Sequence, residues 1–277
     1  MKRLTTILLA AALLAGCAKD EPSAPAEGYG TLALTAECTP TVEALTRASE
    51  QVAFPGQLPA AADLALTVES TDPAHPYAHT WERLGDYDSR EDWLFATTYR
   101  LTLHSGDEPG LENSPEGAGK PYFEAVAETT VAIGQESTSV KLTARLLNTI
   151  VRVKFTDRFK GYFGNGADFT LTTAAGSEFA LDYTTDENCY FVRPAEFVIT
   201  GQATKQTPSA TQPAQTVKFA ATTNAAPAPG TLYTYTFDVT GAGDTGKIDF
   251  TLNDEPVRTE ALDEELNDDA IPDPADN

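Results

Sequence analysis

The chain reads as all-β, folded into two tandem β-sandwiches, and three observations lead there. Apolar residues alternate at period two in many short runs, such as Leu32-Ala33-Leu34-Thr35-Ala36 and Tyr99-Arg100-Leu101-Thr102-Leu103, the pattern of strands with one buried face. Turn residues, drawn from 19 glycines and 18 prolines, break these runs about every 8–12 residues, as sandwiches require. Almost no stretch carries an apolar stripe at helical spacing. The length agrees: without its first 16 residues the chain keeps 261 of 277, too many for one small sandwich and right for two.

The first element is a leader. Lys2 and Arg3 precede an apolar run from Leu4 to Leu14, too short for a membrane span, which needs about 20 apolar residues. Ending in Leu14-Ala15-Gly16-Cys17, it reads as a secretory signal over residues 1–16. The Leu-Ala-Gly-Cys stretch resembles the lipobox of bacterial lipoproteins. That resemblance implies an acylated Cys17, anchored to outer-membrane lipid rather than spanning the membrane. Residues 17–28, with Pro22, Pro25 and Gly28, form the tether. Lys19-Asp20-Glu21 within it is similar to the export signal of surface lipoproteins in Bacteroidota, with a solvated charged linker as the alternative.

The first sandwich is expected over residues 29–137. Its first strand, Thr31 to Cys38, puts Leu32, Leu34, Ala36 and Cys38 on one face. Asp63 to Ser70 turns Leu64, Leu66 and Val68 inward, and a short strand centres on Trp81. Trp93-Leu94-Phe95 precedes the strand holding Tyr99, Leu101 and Leu103. Residues 106–121, with Pro109, Pro115 and Pro121, form a long loop, and strands resume at Pro121–Val126 and Thr130–Ile133.

The second sandwich is expected over 138–253, opening with Val140–Ala144 and Leu146–Phe155. Adjacent Ile150 and Val151 break strict alternation there, so both faces are covered or a bulge intervenes. Further strands fall at 168–172, 178–183, 190–192, 196–200, 215–220, 232–239 and 247–252. Asn165-Gly166 marks a tight turn. The tail, 254–277, holds ten acidic residues against Arg258 and is expected to stay extended or disordered.

Charge excludes one class of partner. At −22 for the whole chain, and −24 once Lys2 and Arg3 leave with the signal, the surface repels phosphate backbones, so no nucleic-acid partner is expected. Cysteine spacing offers no metal or cofactor site. Cys38 and Cys189 either pair in an oxidising compartment or pack as separate thiols. His75 and His79 flank Pro76, so they share no helix face. The acidic cluster Asp86, Asp88, Glu91 and Asp92 lacks the glycine and terminal glutamate of a calcium loop. With no nucleophile motif or phosphate-binding glycine loop, an enzyme is not expected. Trp81 and Trp93 are candidates for an aromatic platform that captures surface glycans, with core packing as the default for both.

Several stretches together resemble a Bacteroidota lipoprotein family of unknown function with fimbrillin-like folds. They are Gly30–Leu34, Leu45-Thr46-Arg47, Tyr99–Leu103 followed by Ser105-Gly106-Asp107, Pro121–Glu124 and Val140–Val153. Glu124-Ala125 departs from the Glu-Gly such proteins often carry. The resemblance implies two transthyretin-like sandwiches and a role as fimbrial subunit, tip or anchor, with other fimbrial subunits, or host or bacterial surface molecules, as partners. It also implies proteolysis between Arg47 and Ala48, which would release the strand bearing Leu32, Leu34 and Ala36 and open a groove for a donor strand. The alternative is a glycan-binding surface lipoprotein of a polysaccharide-uptake system.

Overall fold

The computed structural model describes residues 27–39, 42–44, 51–105, 121–134, 137–186, 188–205, 214–240, 247–252 and 255–261. In chain order the first strands are β1 (Tyr29–Gly30), β2 (Leu32–Cys38), β3 (Val42–Ala44) and β4 (Gln51–Val52). They are followed by β5 (Ala65–Ser70), β6 (Ala78–Trp81), β7 (Leu94–Phe95), β8 (Thr98–His104), β9 (Phe123–Thr130) and β10 (Thr138–Leu146). After them come β11 (Thr149–Phe155), helix α1 (Asp157–Tyr162), β12 (Ala167–Thr173), β13 (Glu178–Leu181), β14 (Cys189–Val192) and β15 (Phe197–Thr204). The remaining strands are β16 (Thr216–Asn224), β17 (Thr231–Thr240), β18 (Lys247–Leu252) and β19 (Glu255–Ala261).

The first half is built on the order β2-β10-β9-β8-β5-β6. Period-two alternation is realised residue by residue: Leu66 and Val68 of β5, Tyr99, Leu101 and Leu103 of β8, and Phe123 of β9 are all buried. β10 changes partner along its length. Thr138 to Ala144 pair with β2 in parallel, whereas Arg145 and Leu146 pair antiparallel with β9. Leu142, Ala144 and Leu146 thereby join the same core as Leu32.

The boundary expected at residue 137/138 is therefore displaced. β10 belongs to the first sheet, and the chain passes to the second half at Leu147-Asn148. Strand-like residues run on through 140–155, with the expected break in alternation at Ile150-Val151 rather than at the crossing; main-chain pairing marks the crossing. Asn148, fully buried, pins the crossing. Its Oδ1 accepts from the Tyr122 N–H at 2.5 Å, Leu147 N–H donates to the Tyr122 carbonyl, and Gly230 N–H donates to the Asn148 carbonyl.

In the second half, β14-β11-β17-β18-β19 packs against β13-β12-β15-β16. The core is largely aromatic, with Phe155, Phe159, Phe169, Phe219 and Phe237 in mutual contact and Phe169 and Phe237 4.5 Å apart. Gly201, beside the bulge in β15, lets Phe169 lie against the backbone, where a Cβ would stand 2.3 Å from its ring. The adjacent pair in β11 is covered on both faces: Val151 enters this core and Ile150 enters the first. Phe191 and Leu232 also enter the first core, so the two halves share packing across their junction.

Two elements differ from expectation. α1, with Thr156 accepting from the Phe159 N–H as N-cap and Phe159 and Tyr162 buried, is too short to print a helical period on the sequence. The acidic stretch after Asp254 is not all tail: β19 pairs antiparallel with β18. A backbone ladder needs no apolar side chains, and charge is common on strands at a sheet edge.

Candidate functional site

The first strand of the sequence analysis becomes β2, and its position is distinctive. Among the described strands it pairs with β10 alone, in parallel, over seven residue pairs from Leu32↔Thr138 to Cys38↔Ala144. Leu32 is fully buried, while Leu34, Ala36 and Cys38 are half-buried against the same core. The strand thus supplies core side chains from the edge of a sheet, with no second strand beside it among the described residues.

Its fastenings are few and identifiable. The Tyr87 hydroxyl donates to the Leu32 carbonyl at 2.8 Å, and burial pushes that phenol up to about 12. Thr31 and Ser137 hydroxyls meet at 2.6 Å. On the solvent face, Lys141 Nζ reaches Glu37 Oε1 at 2.8 Å and Thr143 Oγ1 donates to the same oxygen at 3.2 Å. Bonding to Lys141, foremost, holds the Glu37 carboxyl below its ordinary range. At the start of the strand, Gly30 passes so close to the 131–132 backbone that a Cβ would lie 2.0 Å from the Ala132 carbonyl.

Beyond β2 the chain enters the second half. β3 pairs parallel with β17 at Glu43↔Thr231 and Ala44↔Leu232, and antiparallel with β4. The segment ahead of Arg47 therefore holds three described strands that form ladders, β1 and β2 on the first half and β3 on the second; only β2 shows in the sequence pattern, because two or three residues are too few to show alternation. A cavity of about 580 Å³ lies at this crossing, lined by Thr39, Thr143, Arg145, Leu146, Leu147, Pro229 and Gly230. Cys17, Arg47 and Ala48 lie outside the described residues. The strand expected at 247–252 is β18, and it pairs with β17 of its own chain.

Trp81 sits on β6, half-buried, with its ring edge-on to Tyr87 at 5.1 Å and packed against the first core. Trp93 is also half-buried, and among the described residues no ring contact joins the two indoles. The more exposed aromatic group is elsewhere: His75 stacks on Phe95 at 3.8 Å, and Tyr29, 37% exposed, meets Phe95 edge-on. The β1–β7 pairing sets Tyr29 against Phe95, a juxtaposition that no pattern in the sequence marks. Cys38 and Cys189 are half-buried and form no disulfide; burial pushes the Cys38 thiol up. Among the described residues no helix is long and apolar enough to cross a membrane.

Solved structures similar to this chain include proteins of Bacteroides and Parabacteroides species. A candidate cell adhesion protein of Bacteroides eggerthii is 8% identical, with a TM-score of 0.40 over 79% of this chain and 88% of its own. One from Bacteroides ovatus is 11% identical, with a TM-score of 0.38 over 86% and 98%. A fimbrial assembly protein of Parabacteroides distasonis is 11% identical, with a TM-score of 0.35 over 68% and 90%. At these identities and TM-scores none of the three informs on what this chain does. No curated protein matches it. The family described as domain of unknown function DUF4493 matches residues 28–268, most of the chain, and the chain belongs to that family.

Proposed function

We propose that this protein is a lipid-anchored cell-surface protein, a fimbrillin-like subunit or accessory component, that acts by giving up β2 and accepting another strand. The observation that carries the reading is the one-sided pairing of β2. A core-filling strand bonded to a single neighbour can leave without unthreading the sheet, and its loss exposes the β10 edge together with the cleft that Leu32 filled. Burying one leucine contributes about 1.5–3 kcal/mol, so the opened state favours a replacement. An exposed edge with an apolar cleft is a template for strand addition.

Two features of the sequence fit this reading. Leu45-Thr46-Arg47-Ala48 follows directly on β3, so a cut after Arg47 would free β1, β2 and β3 together. Cys17 as an acylated residue would hold the uncut chain at the outer membrane, through a tether that cutting removes. The role needs no catalytic group and is that of a binding and assembly protein.

The test is Arg47→Ala in the full chain, expressed in its native host. The proposal expects the wild-type protein to run as heat-sensitive ladders on denaturing gels, and the variant to remain a membrane-bound monomer. Ladders that persist unchanged in the variant would overturn the assignment of Arg47.

A further inference from the structure

We propose that Lys141 and Thr143 on β10 select which strand may occupy that edge: a parallel strand carrying an acidic residue at the Glu37 position. The inference rests on the strand-exchange reading above and adds the chemistry of the partner. Leu32, Leu34, Ala36 and Cys38 fix which face of the strand turns inward. They cannot distinguish one alternating strand from another, and period-two alternation recurs throughout this chain.

Discrimination has to come from the outward side chains, and β10 presents two donors there. The Lys141 ammonium at 2.8 Å and the Thr143 hydroxyl at 3.2 Å converge on one oxygen, Glu37 Oε1. Glu37 lies opposite Thr143 in the ladder, with Lys141 one outward position back. An uncharged residue in its place leaves both donors to water, which costs little at an exposed site. A lysine or arginine there sets two cations against each other across adjacent strands, which is unfavourable. The selection is therefore chiefly a rejection of basic strands, with an added preference for acidic ones. The overall charge suits it: with 41 acidic against 19 basic residues, an acidic strand approaching this molecule needs a local cation to meet it, and Lys141 is one placed on the open edge.

The experiment uses the full chain with a site-specific protease sequence inserted after Arg47. Once cut, the chain is offered fluorescent synthetic copies of residues 28–47, and their entry is followed by anisotropy. The native copy is expected to enter, and a Glu37→Lys copy to bind about threefold more weakly, the scale of an exposed ion pair. In a Lys141→Glu chain the preference reverses, and in a Lys141→Gln chain it shrinks without reversing. Lys141 is 63% exposed, so neither variant disturbs the core. Equal entry of both copies into every chain would overturn the selection while leaving strand exchange intact. Entry of neither copy would overturn strand exchange, and the selection with it.

Discussion

The Tyr87 hydroxyl reaches 55 residues back along the chain to donate to the Leu32 carbonyl at 2.8 Å. It ties the edge strand β2 to the far side of the first core through a group other than its ladder with β10. Tyr87 also meets Trp81 edge-on, so one aromatic pair spans both edges of the sheet.

This tie gives an alkaline signature. The folded-state pKa of Tyr87, pushed up to about 12 by burial, lies above the ordinary tyrosine value near 10. Between those two pH values the folded chain binds more protons than the unfolded one, so stability falls as pH rises. The contribution is whole below pH of about 10 and is lost through about 12. Tyr87→Phe is expected to flatten part of this fall and to cost about 1 kcal/mol at neutral pH, the net value of one hydrogen bond. Tyr235, also pushed up to about 12, and Tyr77, Tyr99, Tyr183 and Tyr190, each raised by burial, keep the remainder. Urea unfolding from pH 8 to 12 reads both effects.

Leu32→Ala removes a fully buried side chain and should destabilise the uncut chain by about 2–5 kcal/mol. Because β2 has one neighbour among the described strands, hydrogen exchange should quicken first at the amides of β2 and β10, ahead of β8 and β9. Equal acceleration over the whole sheet would mean that β2 does not open by itself.

Gly30→Ala places a methyl group 2.0 Å from the Ala132 carbonyl and 2.9 Å from Val131 Cγ1. The backbone must separate there, and the β1–β7 pair with it. A fall in melting temperature, measured by circular dichroism, is expected, with loss of amide protection at Gly134, which donates to the Tyr29 carbonyl. An unchanged melting temperature would show that this approach has room to relax.

Asn148→Ala strips the Tyr122 N–H of its acceptor inside the junction. An unsatisfied buried donor costs about 1–3 kcal/mol, and denaturant titration should show that loss. Asn148→Asp keeps both the shape and an acceptor at Oδ1, so the loss it shows reports the cost of a buried charge instead of a missing bond.

Much of the fold was legible in the sequence because its strands are buried on one face. The alternation of Leu64, Leu66 and Val68, and of Tyr99, Leu101 and Leu103, reads directly as inward positions, and the break at Ile150-Val151 reads as coverage on both faces. What alternation does not encode is pairing. Nothing local in Val140–Leu146 says that β10 joins β2 and β9 rather than β11, so the junction expected from the sequence falls ten residues early. α1 and β3 are shorter than the period that would reveal them. At the site, Leu32, Leu34 and Ala36 were readable as one face of a strand. The Glu37 pairing with Lys141, and the Tyr87 bond to Leu32, join residues about a hundred and more than fifty positions apart and appear only once the chain is folded.

The central claim is that the segment ahead of Ala48 is removed and its place on β10 filled by another strand. N-terminal sequencing of the protein shaved from intact cells tests it most directly. The account predicts chains beginning at Ala48 in the ladder-forming fraction and acylated Cys17 at the start of the uncut fraction. Chains beginning at Met1, monomeric and recovered only from the cytoplasm, would contradict it.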